Sequence, residues 1–165
     1  MKNLCYIFSM LLVFLSAGYA ISEPKQFKEW VVNCQETNPD NADELCEAAY
    51  IADIEKNGKK VPVFRISISN LEQSESKFLI VFVPHNLNLF LPKQGQIVVG
   101  NDITHQFQWS NCIQDGCWSH SEIGDDALNK LRKARSGAVL LALSNGSMLK
   151  VNFSLMGLSA ALKNL

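Results

Sequence analysis

The chain has 165 residues, 47% of them hydrophobic, and a formal net charge of −1 from 15 Lys and Arg against 16 Asp and Glu. That apolar content excludes a disordered chain, and the near-neutral balance leaves no dense basic face to displace phosphate counterions. Nucleic acid and anionic membrane surfaces are therefore not expected partners.

The first element is a leader. Lys2 supplies a positive start, residues 6–15 form an apolar run broken only by Ser9, and Gly18-Tyr19-Ala20 offers small residues where a signal peptidase reads. The expected cut follows Ala20, with cleavage after Gly18 as the second choice. The apolar run is shorter than the roughly 20 residues that cross a bilayer, so residues 1–20 read as a cleaved signal peptide and not as an anchor. Cys5 leaves with it. Residues 21–165 are enough chain for a single domain with one core, and they hold no apolar stretch long enough to span a membrane.

From Phe27 onward, short runs rich in Val, Ile and Phe recur between polar punctuation, at residues 30–32, 48–54, 61–68, 78–83, 87–91 and 97–99. They are expected as strands. Within residues 61–68, Phe64, Ile66 and Ile68 alternate with Arg65 and Ser67, the period of a half-buried strand. Asn57-Gly58 suits a tight turn because both residues tolerate positive φ, and Asn145-Gly146 joins residues 139–143 to 148–153 in a second hairpin. Between the two halves Ala127, Leu128, Leu131 and Ala134 recur at helical spacing. Asp125 and Asp126 stand at the start of that helix, and Lys130, Arg132, Lys133 and Arg135 toward its end, matching the helix dipole. Leu158, Ala161, Leu162 and Leu165 point to a short second helix. The fold class is all-β, a β-sandwich or compact barrel with one or two short helices.

Four cysteines remain after the leader: Cys34, Cys46, Cys112 and Cys117. In an exported domain they are expected as two disulfides, for which three pairings exist. Local pairing is favoured, Cys34 with Cys46 and Cys112 with Cys117. The turn-rich loop around Asn38-Pro39-Asp40-Asn41 can fold back, and Asp115-Gly116 permits the tighter reversal. Loop-closure entropy assigns about 3 kcal/mol to the first bridge and about 2 kcal/mol to the second. A zinc site drawing on Cys112, Cys117, His105 and His120 has the wrong spacing for a ribbon or knuckle, so no metal is expected. The close pair is not a Cys-x-x-Cys motif, which argues against redox catalysis.

Catalytic patterns are equally thin. No Gly-x-Ser-x-Gly elbow or phosphate-binding glycine loop is present. Ser119-His120-Ser121-Glu122 puts triad residue types side by side, but neighbours on a strand point to opposite faces. His120 reads as an exposed strand residue, and His85 and His105 as isolated residues in turn or strand-edge settings. Asp125-Asp126 and Asp43-Glu44 are explained by a helix start and a solvated loop. No enzyme activity and no cofactor are expected. Phe78, Phe82, Phe90 and the leucines near them could form a partner-binding patch, although the core is the expected place for them.

Several landmarks follow in a recognisable order. They are Phe27-Lys28-Glu29-Trp30-Val31-Val32-Asn33-Cys34, Cys46, Leu89-Phe90-Leu91-Pro92 and Cys112-Ile113-Gln114-Asp115-Gly116-Cys117. Asp126-Ala127-Leu128, Asn145-Gly146 and Ser154-Leu155-Met156-Gly157-Leu158-Ser159-Ala160-Ala161-Leu162 complete the set. This order, running over nearly all of residues 21–165, resembles the invasion-associated locus B family of exported Gram-negative bacterial proteins. The chain departs from the family pattern in a longer acidic insertion between Cys34 and Cys46, and in Leu158 where members often carry Phe. The resemblance implies a β-rich envelope protein, periplasmic or associated with the outer membrane, with the four cysteines as bridge formers and no catalytic residues to carry over. The expected function is a non-enzymatic binding module whose protein partner, not identified by the sequence, lies in the envelope or on a host cell, possible support of host-cell invasion included. A periplasmic structural or stress-related role is the alternative, and an unrecognised hydrolase or thiol enzyme comes third.

Overall fold

Alternation of buried and exposed side chains along the strands builds two antiparallel sheets with one core between them. The structure, a computed structural model, describes residues 23–38, 43–56, 58–70 and 76–165. The expected leader and Asn57 of the first turn lie outside them. The larger sheet has seven strands, in spatial order β1 (Lys25–Phe27), β2 (Trp30–Asn38), β3 (Asp43–Lys56), β4 (Lys59–Asn70), β5 (Lys77–Pro84), β9 (Gly116–Ile123) and β8 (Asn111–Ile113). The smaller has four: β11 (Met148–Ser154), β10 (Ser136–Ala142), β6 (Gly95–Val99) and β7 (Asp102–Phe107). The sheets stay separate, so the sandwich is formed and the barrel is not.

Register explains the core. On β4, Phe64, Ile66 and Ile68 are buried, and pairing sets Ile68 beside Ala48 and Leu79, and Ile66 beside Tyr50 and Val81. Ile97, Val139, Leu141 and Phe153 close the core from the four-stranded sheet. Burying each Leu, Ile or Phe stabilises the fold by about 1.5–3 kcal/mol. Aromatic rings bridge the two layers: Trp30, Tyr50, Phe153 and Phe64 stand in sequence with centroids 6.0, 6.2 and 6.1 Å apart. Trp30 Nε1 also donates to Ser154 O at 3.0 Å, so its one polar atom is paired while the ring is fully buried.

Gly58 and Gly146 stand at the β3–β4 and β10–β11 hairpin turns and take φ of 72° and 84°. A side chain is strained there, which is why glycine serves. The amphipathic helix is α1 (Asp125–Lys133), with Leu128 and Leu131 buried and Asp125 and Asp126 in its first turn. It leans on β7 and on α2 (Leu158–Ala161), which continues as a 3-10 turn over Leu162–Asn164. Among the described residues no helix is long and apolar enough to cross a membrane.

One expected strand is absent. Residues 87–91 form no strand: His85–Leu87 is a 3-10 turn, Asn88 takes a left-handed φ of 47°, and only Leu89 makes an isolated bridge, to Leu143. The run is apolar but must cross from the seven-stranded sheet to the four-stranded one. A left-handed residue and a following proline that lacks an N–H break the ladder.

Candidate functional site

The same crossing segment builds one end of the sandwich. After β5 ends at Pro84, the chain is pinned to the end of β10 by Phe90 N–H to Ala142 O at 2.8 Å, Ser144 N–H to Asn88 O at 2.9 Å and Ser144 Oγ to Leu89 O at 3.2 Å. Lys93 N–H returns to Phe90 O at 3.1 Å, closing a turn over Leu91 and Pro92. Facing it is the β8–β9 hairpin, whose Cys112 and Cys117 are opposite neighbours joined by a disulfide with Cα atoms 4.0 Å apart. The hairpin sits tight on β5 because Gly116 has no side chain, and a Cβ there would lie 2.4 Å from Val83 O. His85 Nε2 donates to Ile113 O and ties the crossing segment to the hairpin.

Between these pieces lies a cleft of about 290 Å³, lined by Pro84, His85, Leu89, Leu91, Cys112 and Cys117 among others. Its surroundings are unusual for a loop region. Phe90, Leu91 and Ile113 are 47, 43 and 49% exposed, three large apolar side chains held out by a hydrogen-bonded, disulfide-closed frame. The expectation that Phe78, Phe82, Phe90 and the leucines near them would lie in the core holds for Leu79, fully buried, and for Leu87 and Leu89, packed against the core, and is corrected for Phe78, Phe82, Phe90 and Leu91. Phe90 and Leu91 project beyond the sheet ends, and Phe78 and Phe82 are half-buried on the opposite side of β5 from the core.

The other residues singled out by sequence fall elsewhere. Cys34 and Cys46 are opposite neighbours on β2 and β3 and form the second disulfide, again with Cα atoms 4.0 Å apart. Glu44 approaches those sulfurs, but both are spent in the bond, leaving one carboxylate as a donor there. On β9, Ser119 is fully buried on the core side, while His120 is exposed on the other face and stacks on Phe78 with centroids 4.7 Å apart. The sulfur of Cys117 is in its disulfide, so the residues weighed for zinc do not offer two thiolates.

One pair was not legible in sequence. His105 on β7 and Ser121 on β9 share a hydrogen bond at 2.9 Å and bridge the two sheets. Burial pushes the His105 pKa below its usual 6.5, which favours the neutral ring. Among the described residues no carboxylate holds its other ring nitrogen, so the pair lacks the third member that orients a catalytic base. Two residues sixteen positions apart on polar strands give no motif, and only register could have placed them together.

A family model described as Invasion associated locus B (IalB) protein matches residues 30–165. The chain belongs to the invasion-associated locus B family. A comparison with curated proteins returns no match. Among solved structures the chain is similar to invasion associated protein B from Bartonella henselae, with a TM-score of 0.71 and 16% identity over 87% of this chain and 95% of that one. At that identity the likeness carries the fold. Within this family member, Leu89 to Pro92 and Cys112 to Cys117, two of the segments on which the resemblance rests, border the same cleft. Its two disulfides fit an oxidising compartment.

Proposed function

We propose that this family member is an exported envelope protein that works by binding another protein, without catalysis, through the disulfide-pinned end of its sandwich. The observation that carries this reading is the exposure of Phe90, Leu91 and Ile113 around a preformed cleft. Clustered apolar side chains on a rigid frame lower the ordering cost of an interface and mark contact sites. His85, the titratable residue in the cleft lining, is committed to Ile113 O, the Ser144 hydroxyl donates to Leu89 O, and both cysteines are bonded to each other. The lining therefore supplies contact surface instead of a nucleophile and base.

Export rests on the leader over residues 1–20, cut after Ala20, which delivers the chain to the periplasm or the outer membrane. A role in host-cell entry is the reading that the family name supports. The test compares wild type with a Phe90→Ser/Leu91→Ser variant in the exporting cell, after treatment with a short chemical cross-linker. A discrete cross-linked species that disappears in the variant, at unchanged protein level, is the expected result. A purified protein that turns over a small substrate and loses that activity on one substitution would overturn the reading. Protease digestion on intact cells, beside a periplasmic leakage control, assigns the partner to the outside or the inside of the outer membrane.

A further inference from the structure

The interior strand β5, fifth of seven, is apolar on both faces. Leu79, Val81 and Val83 point into the core and are fully buried, yet the alternate residues Phe78, Ile80 and Phe82 are apolar as well. An antiparallel sheet with one face in water shows alternation, whereas continuous apolar runs belong to strands covered on both sides. Register extends the pattern across the outer face of the seven-stranded sheet. Ile51, Arg65, Phe82 and Trp118 form one cross-strand row, and Val31, Ala49, Ser67, Ile80 and His120 form the next. Phe82 and Trp118 touch, with centroids 4.4 Å apart, and Ile51 is 53% exposed. Among the described residues no helix or strand layer lies on this face: α1 leans on β7 and α2, and α2 on β1 and β2.

We infer that a second copy of this chain covers the outer face of the seven-stranded sheet, in a twofold sheet-to-sheet dimer. Three observations select that occupant. Arg65 and Glu47 stand at the centre of the face and pair with each other, so the centre of the face neither repels its own copy nor selects a partner of opposite charge, while Glu122 lies toward its β9 edge. A depression of about 210 Å³ beside them, lined by Asn33, Leu45, Glu47, Arg65 and Ile80 among others, reaches β3 at Glu47, four residues along the strand from the protruding Ile51. A twofold axis running across the strands, along the Val31–Ala49–Ser67–Ile80 row, lays Ile51 of each copy over the other's Asn33–Glu47–Ser69 row. Each knob then meets the other copy's depression, the self-complementary arrangement that closes a dimer. Finally, strands β2, β3, β4, β5 and β9 at about 4.8 Å spacing, over about six residues, present on the order of 500 Å² in plan. That area, about 1,000 Å² over both copies, suits aligned sheet packing and a weak, reversible dimer below the range of permanent interfaces.

The test is sedimentation velocity on the oxidised mature protein across a wide concentration range. Wild type is expected to pass from monomer to dimer with rising concentration. Ile51→Glu, at an exposed position, should raise the dissociation constant at least tenfold while leaving the melting temperature of dilute protein unchanged. Lys150→Glu, on the outer face of the other sheet, should leave dimerisation as in wild type. A protein that stays monomeric at every concentration overturns the proposal and leaves the face to a different protein partner. A dimer that Ile51→Glu does not weaken overturns it too, by putting the contact elsewhere.

Discussion

The outer faces of the two sheets differ although both belong to the same antiparallel sandwich. On the four-stranded sheet, the outward residues of β10 are Ala138, Leu140 and Ala142, and Leu140 is flanked by Gln96 and Lys150 while Asn152 pairs with Ala138. The aliphatic centre is small, and the polar neighbours reach over it into water. On the seven-stranded sheet, the outward residues of β5 are Phe78, Ile80 and Phe82, and their neighbours include Trp118 and His120. Here Trp118 extends the apolar surface beside Phe82 and the His120 ring stacks on Phe78, with Arg65, Ser67, Ser69 and Glu122 as the polar neighbours. Whether a sheet face is finished for solvent is decided by the residues beside an interior strand as much as by that strand itself.

The largest effect comes from breaking the surface that the two sheets share. Phe64→Ala, at a position 1% exposed between the layers, is expected to cost about 3–5 kcal/mol in denaturant unfolding. Next come the bridges. Replacing Cys34 and Cys46 together by Ala should cost about 3 kcal/mol, and replacing Cys112 and Cys117 about 2 kcal/mol, following loops of 12 and 5 residues. Equal losses for the two pairs would contradict the loop-closure account. Phe82→Ala sharpens the contrast between faces: half-buried beside Trp118, it should cost about 1–2 kcal/mol in dilute protein, well below Phe64→Ala. Lys150→Glu, exposed on the other outer face, should stay within about 0.5 kcal/mol of wild type.

The inter-sheet pair gives a pH signature. Burial lowers the folded pKa of His105, so the unfolded chain binds more protons below the ordinary value of 6.5. Its contribution to stability is complete above that pH and is lost as pH falls toward the folded value. His105→Gln should remove this part of the acid sensitivity, read from melting temperatures between neutral and mildly acidic buffer.

Much of the sandwich was legible because its strands announce themselves. Phe64, Ile66 and Ile68 alternate, Gly58 and Gly146 stand at hairpin turns, and α1 carries its charges in dipole order. The cysteines pair locally because each couple stands opposite in an antiparallel ladder, which short spacing makes easy to reach. Strands β7 and β9 were harder to see. Asp102–Phe107 and Gly116–Ile123 are mostly polar, and the neighbours that recruit them to a sheet are distant in sequence. The run at residues 87–91 misled in the opposite sense, since hydrophobic composition records burial or contact but not the direction of the chain. That misreading concealed the cleft, because an apolar segment assigned to the core cannot also be an exposed rim. Likewise Phe78 and Phe82 read as core residues until register showed that only their alternate neighbours face the second sheet.

The contrast between the two outer faces is tested most directly by hydroxyl-radical footprinting of the oxidised protein, dilute and concentrated, read by mass spectrometry. The account predicts that labelling of Phe78, Phe82 and Trp118 falls as concentration rises, while Met148, 47% exposed on β11 of the other sheet, is labelled equally throughout. Labelling of the aromatic face that does not change with concentration, in step with Met148, would contradict it.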